Sequence, residues 1–206
     1  MTDVKITELS EATIIEETDI LPIVLDPAGT PVTDKITVKT LLDERLNYSI
    51  VGSDFSLTAS TGVQSAFPTT GDVFTLVAST TYLFEGIYYI TKSGTTCTTA
   101  LAFALGGGAS ITSIKYHVLA QNVVKNTTGA TVASAWVDQV ASTVINATST
   151  TDVVIKFSGI IRMNAGGTVT PQINFSATPT TPVMTADSFI KFTPIGTTNN
   201  ILGSVA

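Results

Sequence analysis

From residue 73 onward the chain repeats one pattern: a run of β-prone residues, then a turn signal. The runs are VFTLV (73–77), TYLFEGIYYIT (81–91), CTTALAFAL (97–105), ITSIKYHVLAQ (111–121), SAWVDQVAS (134–142), TDVVIKFSGIIRMN (151–164), TVTPQINFSA (168–177) and SFIKFTPIG (188–196). SGTT, the glycine triplet at 106–108 and NTTG (126–129) punctuate them. Successive side chains of a strand point to opposite faces, so alternation of apolar and polar residues marks a half-buried strand. Leu101, Phe103 and Leu105 oppose Ala100, Ala102 and Ala104; Ile114, Tyr116 and Val118 point inward; Ile173 and Phe175 oppose Gln172 and Asn174. Val153, Ile155 and Phe157 share a face, and Gly159 is where a bulge would swap faces for Ile161 and Met163. SAWVDQVAS reads equally as a strand or a short helix. About eight strands spaced by turns predict an all-β fold, an antiparallel jelly-roll sandwich. Threonine, about one residue in six, agrees, because β-branched side chains favour strands. No strand alternates with a long helix, which excludes a parallel α/β fold.

The first quarter is different. Residues 1–54 hold 11 acidic and 4 basic residues, a net −7, whereas the remainder is +1. KITEL alternates briefly, DILPIVL is a short extended run containing Pro22, PAGTP (27–31) is turn chemistry, and DKITV alternates again. KTLLDERL is the one segment with helical spacing, about two turns, striped by Leu41, Leu42 and Leu46. So few hydrophobes build no strong core, so this arm orders against something else. The expected division is an extended N-terminal arm at 1–50 with short strands and one short helix, a Gly/Ser/Thr-rich linker at 51–72, and a jelly-roll domain at 73–206.

Groups for catalysis are scarce. The chain holds one histidine, His117, and one cysteine, Cys97; the first reads as an ordinary strand position and the second as a buried small hydrophobe. The later carboxylates Asp72, Glu85, Asp138, Asp152 and Asp187 are scattered, with no sign of a converging pair. Glycines 106–108 and 166–167 lack the lysine and following helix of a phosphate loop and read as turns. The arm acids Glu8, Glu11, Glu16, Glu17 and Asp19 lack the loop spacing of a calcium site. Lys115, Lys156 and Arg162 read as outward, solubilising positions. The reading is therefore a non-enzyme with no catalytic, cofactor or metal residues. A net charge of −6 argues against nucleic acid as partner. No basic and apolar leader or 18-residue apolar run is present, which predicts neither signal peptide nor membrane insertion. The sequons at Asn47, Asn126, Asn146 and Asn174 then read as chance.

Two stretches carry a resemblance. Ile6 to Leu9, Asp19 to Val24 (DILPIV), Gly29, and Lys35 to Leu41 (KITVKTL) resemble a short N-terminal module common in tailed-bacteriophage virion proteins, where it sits nearest the particle. VQSAFP (63–68), TLVASTTYLFEGIYYI, FSGIIRMNAGGTVTPQINFSATPTTP and SFIKFTPIG resemble the small jelly-roll domains, of tumour-necrosis-factor-like shape, carried on trimeric phage appendages. The resemblance implies a homotrimeric virion structural protein, a head decoration or head fibre or a short tail fibre. It would be made in the host cytoplasm and held to a major capsid, tail or baseplate protein. The anchoring residues would be the arm's Ile6, Leu9, Leu21, Ile23, Leu25, Ile36, Val38 and Leu41. Strands apolar on both faces (Leu83, Ile87 and Tyr89 against Tyr82, Phe84 and Tyr88) fit a second copy covering the outer face.

Two rivals remain. A receptor-binding tail-fibre tip that grips a host-surface glycan needs exposed aromatics, for which Tyr48, Tyr88, Tyr89 and Trp136 are the candidates. A small hydrolase needs a base, and His117 is its only histidine.

Overall fold

The computed structural model describes residues 20–25, 32–37, 47–69, 71–122, 131–145 and 152–197. The chain divides into two compact units, Met1–Leu46 and Asn47–Ala206.

In the first unit, β1 (Ile20–Leu25) and β2 (Val32–Thr37) form an antiparallel pair with Ile20 opposite Thr37 and Leu25 opposite Val32. Both runs expected to be extended are strands, and they pair with each other. Of the predicted anchoring residues, Leu21 stands opposite Ile36, and Ile23 opposite Asp34. Ile6, Leu9, Val38 and Leu41, together with the expected helix at 39–46, lie outside the described residues.

The second unit is an antiparallel β sandwich. It begins with β3 (Asn47–Ile50), β4 (Phe55–Ser56), β5 (Gln64–Ser65) and β6 (Phe74–Leu76). The long strands are β7 (Thr80–Ser93), β8 (Thr99–Gly106), β9 (Ser110–Asn122) and β10 (Thr131–Val137). They are followed by β11 (Thr143–Val144), β12 (Val153–Ala165), β13 (Gly167–Phe175), β14 (Thr180–Met184) and β15 (Phe189–Thr197). The larger sheet runs β10-β9-β12-β7; beyond β7 one half of its edge pairs β15 and then β3, the other half β14 and then β4. The smaller sheet runs β11-β8-β13, with β5 and β6 side by side on the far edge of β13.

The winding is that of one long hairpin folded over. β8 pairs with β11, β7 with β12, β6 with β13 and β3 with β15, and each nested pair falls in the opposite sheet from the last. This nesting is the jelly-roll arrangement. The antiparallel hairpin of β9 and β10 is inserted between β8 and β11 and widens the larger sheet beside β12. Among the described residues there is no helix, so none long and apolar enough to cross a membrane. The ambiguous run 134–142 is strand β10 followed by the crossing to β11 in the other sheet.

Both inner faces feed one core. Phe84 is its centre: its ring lies 5.4 Å from Phe103, 5.7 Å from Tyr116 and 5.6 Å from Phe192. Aromatic pairs at such separations add about 0.5–1.5 kcal/mol each beyond the area they bury. The alternation predicted for 111–121, 151–157 and 168–177 is the alternation observed: Ile114, Tyr116, Val118, Val153, Ile155, Phe157, Ile173 and Phe175 are all buried.

Two expectations need correction. Residues 51–72 are part of the body, and so is the last segment of the expected arm. Asn47–Ile50 is a strand on β15, and Val51, Leu57, Ala66 and Phe67 belong to the core. Val51, 1% exposed, donates its N–H to the Ser188 carbonyl at 2.8 Å and accepts from the Asp187 N–H at 2.8 Å. Ala66 N–H donates to the Pro171 carbonyl at 3.0 Å. These hydrophobes come just after strands of two to four residues, in a stretch of Gly, Ser and Thr too broken to show a period. Secondly, β12 has no bulge at Gly159. Its pairing with β7 continues from Val153 to Arg162, so Ile161 and Met163 stay on the core face, and the register shifts only after Arg162. Gly159 serves a close approach instead. It stands opposite Tyr116, and a Cβ there would overlap Tyr116 Cβ and the Lys115 carbonyl oxygen. The glycine triplet does form a turn: Gly107 and Gly108 have φ of 60° and 81°, the left-handed region that glycine enters without strain.

Candidate functional site

The outer face of the larger sheet carries most of the large hydrophobic residues that the fold leaves in water. Outward positions fall at alternate residues of each strand, so the ladder registers place them in rows. One row reads Trp136, His117, Ser158, Glu85, Lys191 and Tyr48 across β10, β9, β12, β7, β15 and β3. The row beside it reads Ser134, Leu119, Lys156, Ile87, Phe189 and Ile50. On the other side Lys115, Ile160, Leu83 and Thr193 stand in register. Trp136 is 69% exposed, Tyr48 63% and Ile50 54%, and Leu83, Tyr89, Val132 and Ile160 are also exposed. Side chains of this kind bring about 1.5–3 kcal/mol each when fully buried.

The face is also cationic. Asn47–Ala206 contains six basic and six acidic residues; among the described residues Lys115, Lys156, Arg162 and Lys191 stand at outward positions of this sheet's strands, as does the carboxylate of Glu85. Glu85 is engaged by Lys191 Nζ at 2.8 Å. Lys115 Nζ lies over the Trp136 ring, 5.8 Å from its centroid. Lys115, His117, Trp136, Ser158, Ile160 and Arg162 line a groove of about 510 Å³ on β9, β10 and β12. No residue lining this groove is acidic.

The residues weighed for chemistry do not come together. Cys97 is buried in the core, where Lys92 Nζ donates to its carbonyl oxygen and sulfur, each at 3.4 Å, while His117 is on the outer face. Asp152 Oδ1 accepts the Lys92 N–H at 3.2 Å, and Asp54 Oδ1 accepts the Ala186 N–H at 3.0 Å, so both act on backbone. Among the described residues no three His, Cys, Asp or Glu side chains gather as a metal site would need. Of the tyrosines considered for adhesion, Tyr48 and Tyr89 are exposed and Tyr88 is buried. The Tyr88 and Tyr116 hydroxyls sit in the core without a partner. Burial holds the Tyr88 phenol well above its usual range, the nearby Tyr116 adding to the effect, and burial pushes Tyr116 up to about 12.

Lys115, Lys156 and Arg162 were legible as outward positions. The convergence of Lys115 and Arg162 with Trp136 into one groove was not, since β10 and β12 become neighbours of β9 only through the fold. Compared with known proteins, the chain matches no family model, no curated protein and no solved structure.

Proposed function

We propose that the protein is a bacteriophage virion structural protein: a trimeric surface decoration or fibre protein whose N-terminal unit holds it to the particle and whose jelly-roll body is displayed. The observation that carries the reading is the unpartnered apolar outer face of the larger sheet in a jelly-roll body. Around β7, β15 and β3 it presents Leu83, Tyr89, Ile50 and Tyr48, exposed, with Ile87 and Phe189 half-buried between them. The occupant is a second copy of the chain. A threefold ring uses a heterologous contact, so this part of the face meets a different surface of the neighbour. The assignment to a particle rests on the resemblance of both ends of the chain to phage appendage proteins and on the charge division. Met1–Leu46 carries 10 acidic and 4 basic residues, whereas Asn47–Ala206 is neutral. Among the described residues β1 and β2 form a two-stranded sheet, and a sheet edge is where a partner adds a strand.

A chain shortened to begin at Asn47 tests the division of labour. It keeps β3 and is expected to fold, to scatter light as about three times its own mass, and to fail to decorate particles lacking the native protein. Binding by the shortened chain, or light scattering of the full chain at 21.5 kDa, refutes the reading.

A further inference from the structure

The groove on β9, β10 and β12 carries a function of its own, separate from self-association and independent of whether the protein belongs to a virion. We propose that it binds an acidic saccharide, a short sugar chain bearing carboxylate groups. Its volume of about 510 Å³ lies within the range of small-molecule sites. Its lining supplies what such a ligand needs in one place. Trp136 offers a rigid, flat, mostly exposed ring, which meets the C–H face of a pyranose. Lys115 and Arg162 supply charge for a carboxylate, and His117 and Ser158 hydrogen-bond hydroxyls. Lys115 stands over the indole itself, so the ring and the charge are presented side by side. Ile160 gives the groove an apolar wall.

The same features disfavour other ligands. A cation or amine needs a carboxylate, and no residue lining the groove is acidic. A bare anion has no use for the tryptophan, and a neutral sugar none for the two cations. Single-stranded nucleic acid is read by several stacking rings along a basic track; here Trp136 is the chain's only tryptophan and the body is neutral. Self-association is assigned to β7, β15 and β3, which leaves this end of the face open.

The single tryptophan makes the test direct, because the intrinsic fluorescence of the full chain reports on the groove. Oligogalacturonate is expected to give a saturable shift of indole emission. Maltotetraose is expected to bind about tenfold more weakly or worse, and inorganic phosphate and an oligothymidine at matched charge to give no saturable shift. By calorimetry, K115Q should weaken oligogalacturonate about tenfold and leave maltotetraose unchanged, and W136A should abolish binding. Both side chains are exposed, so the thermal midpoint should stay where it is. The proposal is overturned if oligogalacturonate produces no saturable shift at millimolar concentration. It is equally overturned if maltotetraose, phosphate or oligothymidine binds as tightly, or if W136A and K115Q bind as the native chain does.

Discussion

The two outer faces of the sandwich cover the same core and look nothing alike. The outward positions of the smaller sheet are Thr75 on β6, Ala100, Ala102 and Ala104 on β8, Thr168, Thr170, Gln172 and Asn174 on β13, and Val144 on β11. They are small or polar, and they bond among themselves and their loops: Ser142 Oγ donates to Asn174 Oδ1 at 2.8 Å. Among the described residues Val144 is the one large exposed hydrophobe on its strands, with Val63, Val73 and Val77 exposed just beside β5 and β6. The larger sheet exposes Trp136, Tyr48, Ile50, Leu83 and Tyr89 beside four cations. A sheet in a soluble sandwich needs one apolar face to make a core. The smaller sheet stops at that requirement. The larger sheet goes beyond it, and the proposed self-association and groove would both use that second face.

The sharpest way to break this contrast is to place a charge on each face. Leu83→Arg combined with Ile50→Asp is expected to abolish the trimer, with light scattering dropping to the 21.5 kDa protomer. Thr170→Arg on the smaller sheet should leave the assembly intact. If both changes act alike, the two faces are equivalent and the distinction fails.

The inner faces should show no such asymmetry, since they share one core. Ile155→Ala in the larger sheet and Ile173→Ala in the smaller are each expected to cost about 2–5 kcal/mol in denaturant unfolding. Gly159→Ala belongs with them, because its new methyl group would overlap Tyr116 and the backbone of Lys115. A much smaller loss for either isoleucine would mean that its sheet contributes little to the core.

A third contrast is in alkali. All five tyrosines of the chain fall on strands of the larger sheet, with Tyr88 and Tyr116 pointing inward. Below about pH 10 the Tyr88 and Tyr116 phenols are neutral in folded and unfolded chains alike and add no pH dependence to stability. Above it the unfolded chain ionises while the core keeps the protons, so stability falls as pH rises from about 10 to about 12. Tyr116→Phe should make that decline shallower. At neutral pH it should be neutral or slightly stabilising, since the lost hydroxyl has no partner. Urea titrations at pH 8, 10 and 11 check this; equal slopes for the two chains would sink it.

The smallest effect is on the exposed pair of the larger sheet's outer row. Glu85→Gln removes the partner of Lys191 where both side chains are about two-fifths exposed. It is expected to cost less than about 1 kcal/mol when measured on the chain that also carries Leu83→Arg and Ile50→Asp, where no neighbouring copy covers the row. A larger loss there would show that the pair holds the protomer more tightly than its exposure implies.

What the chain states locally is inside and outside. Alternation in ITSIKYHV and TVTPQINF declared the inward residues of β9 and β13, and threonine with turn residues declared an all-β fold, because strand formation and half-burial are recorded every second residue. What the chain does not state locally is who stands next to whom. β7 pairs with β12, about 70 residues on, and with β15, about 100 residues on, and only the winding of the hairpin decides those partners. The same holds for Val51, Leu57 and Ala66, hydrophobes in a polar stretch whose backbone bonds reach residues more than a hundred positions later. Gly159 reads in sequence as a break, and in the fold as the space that lets Tyr116 approach. Outward residues are the least legible of all: facing water sets no pattern on them. Trp136, Lys115 and Arg162 therefore become a groove only when three strands are laid side by side.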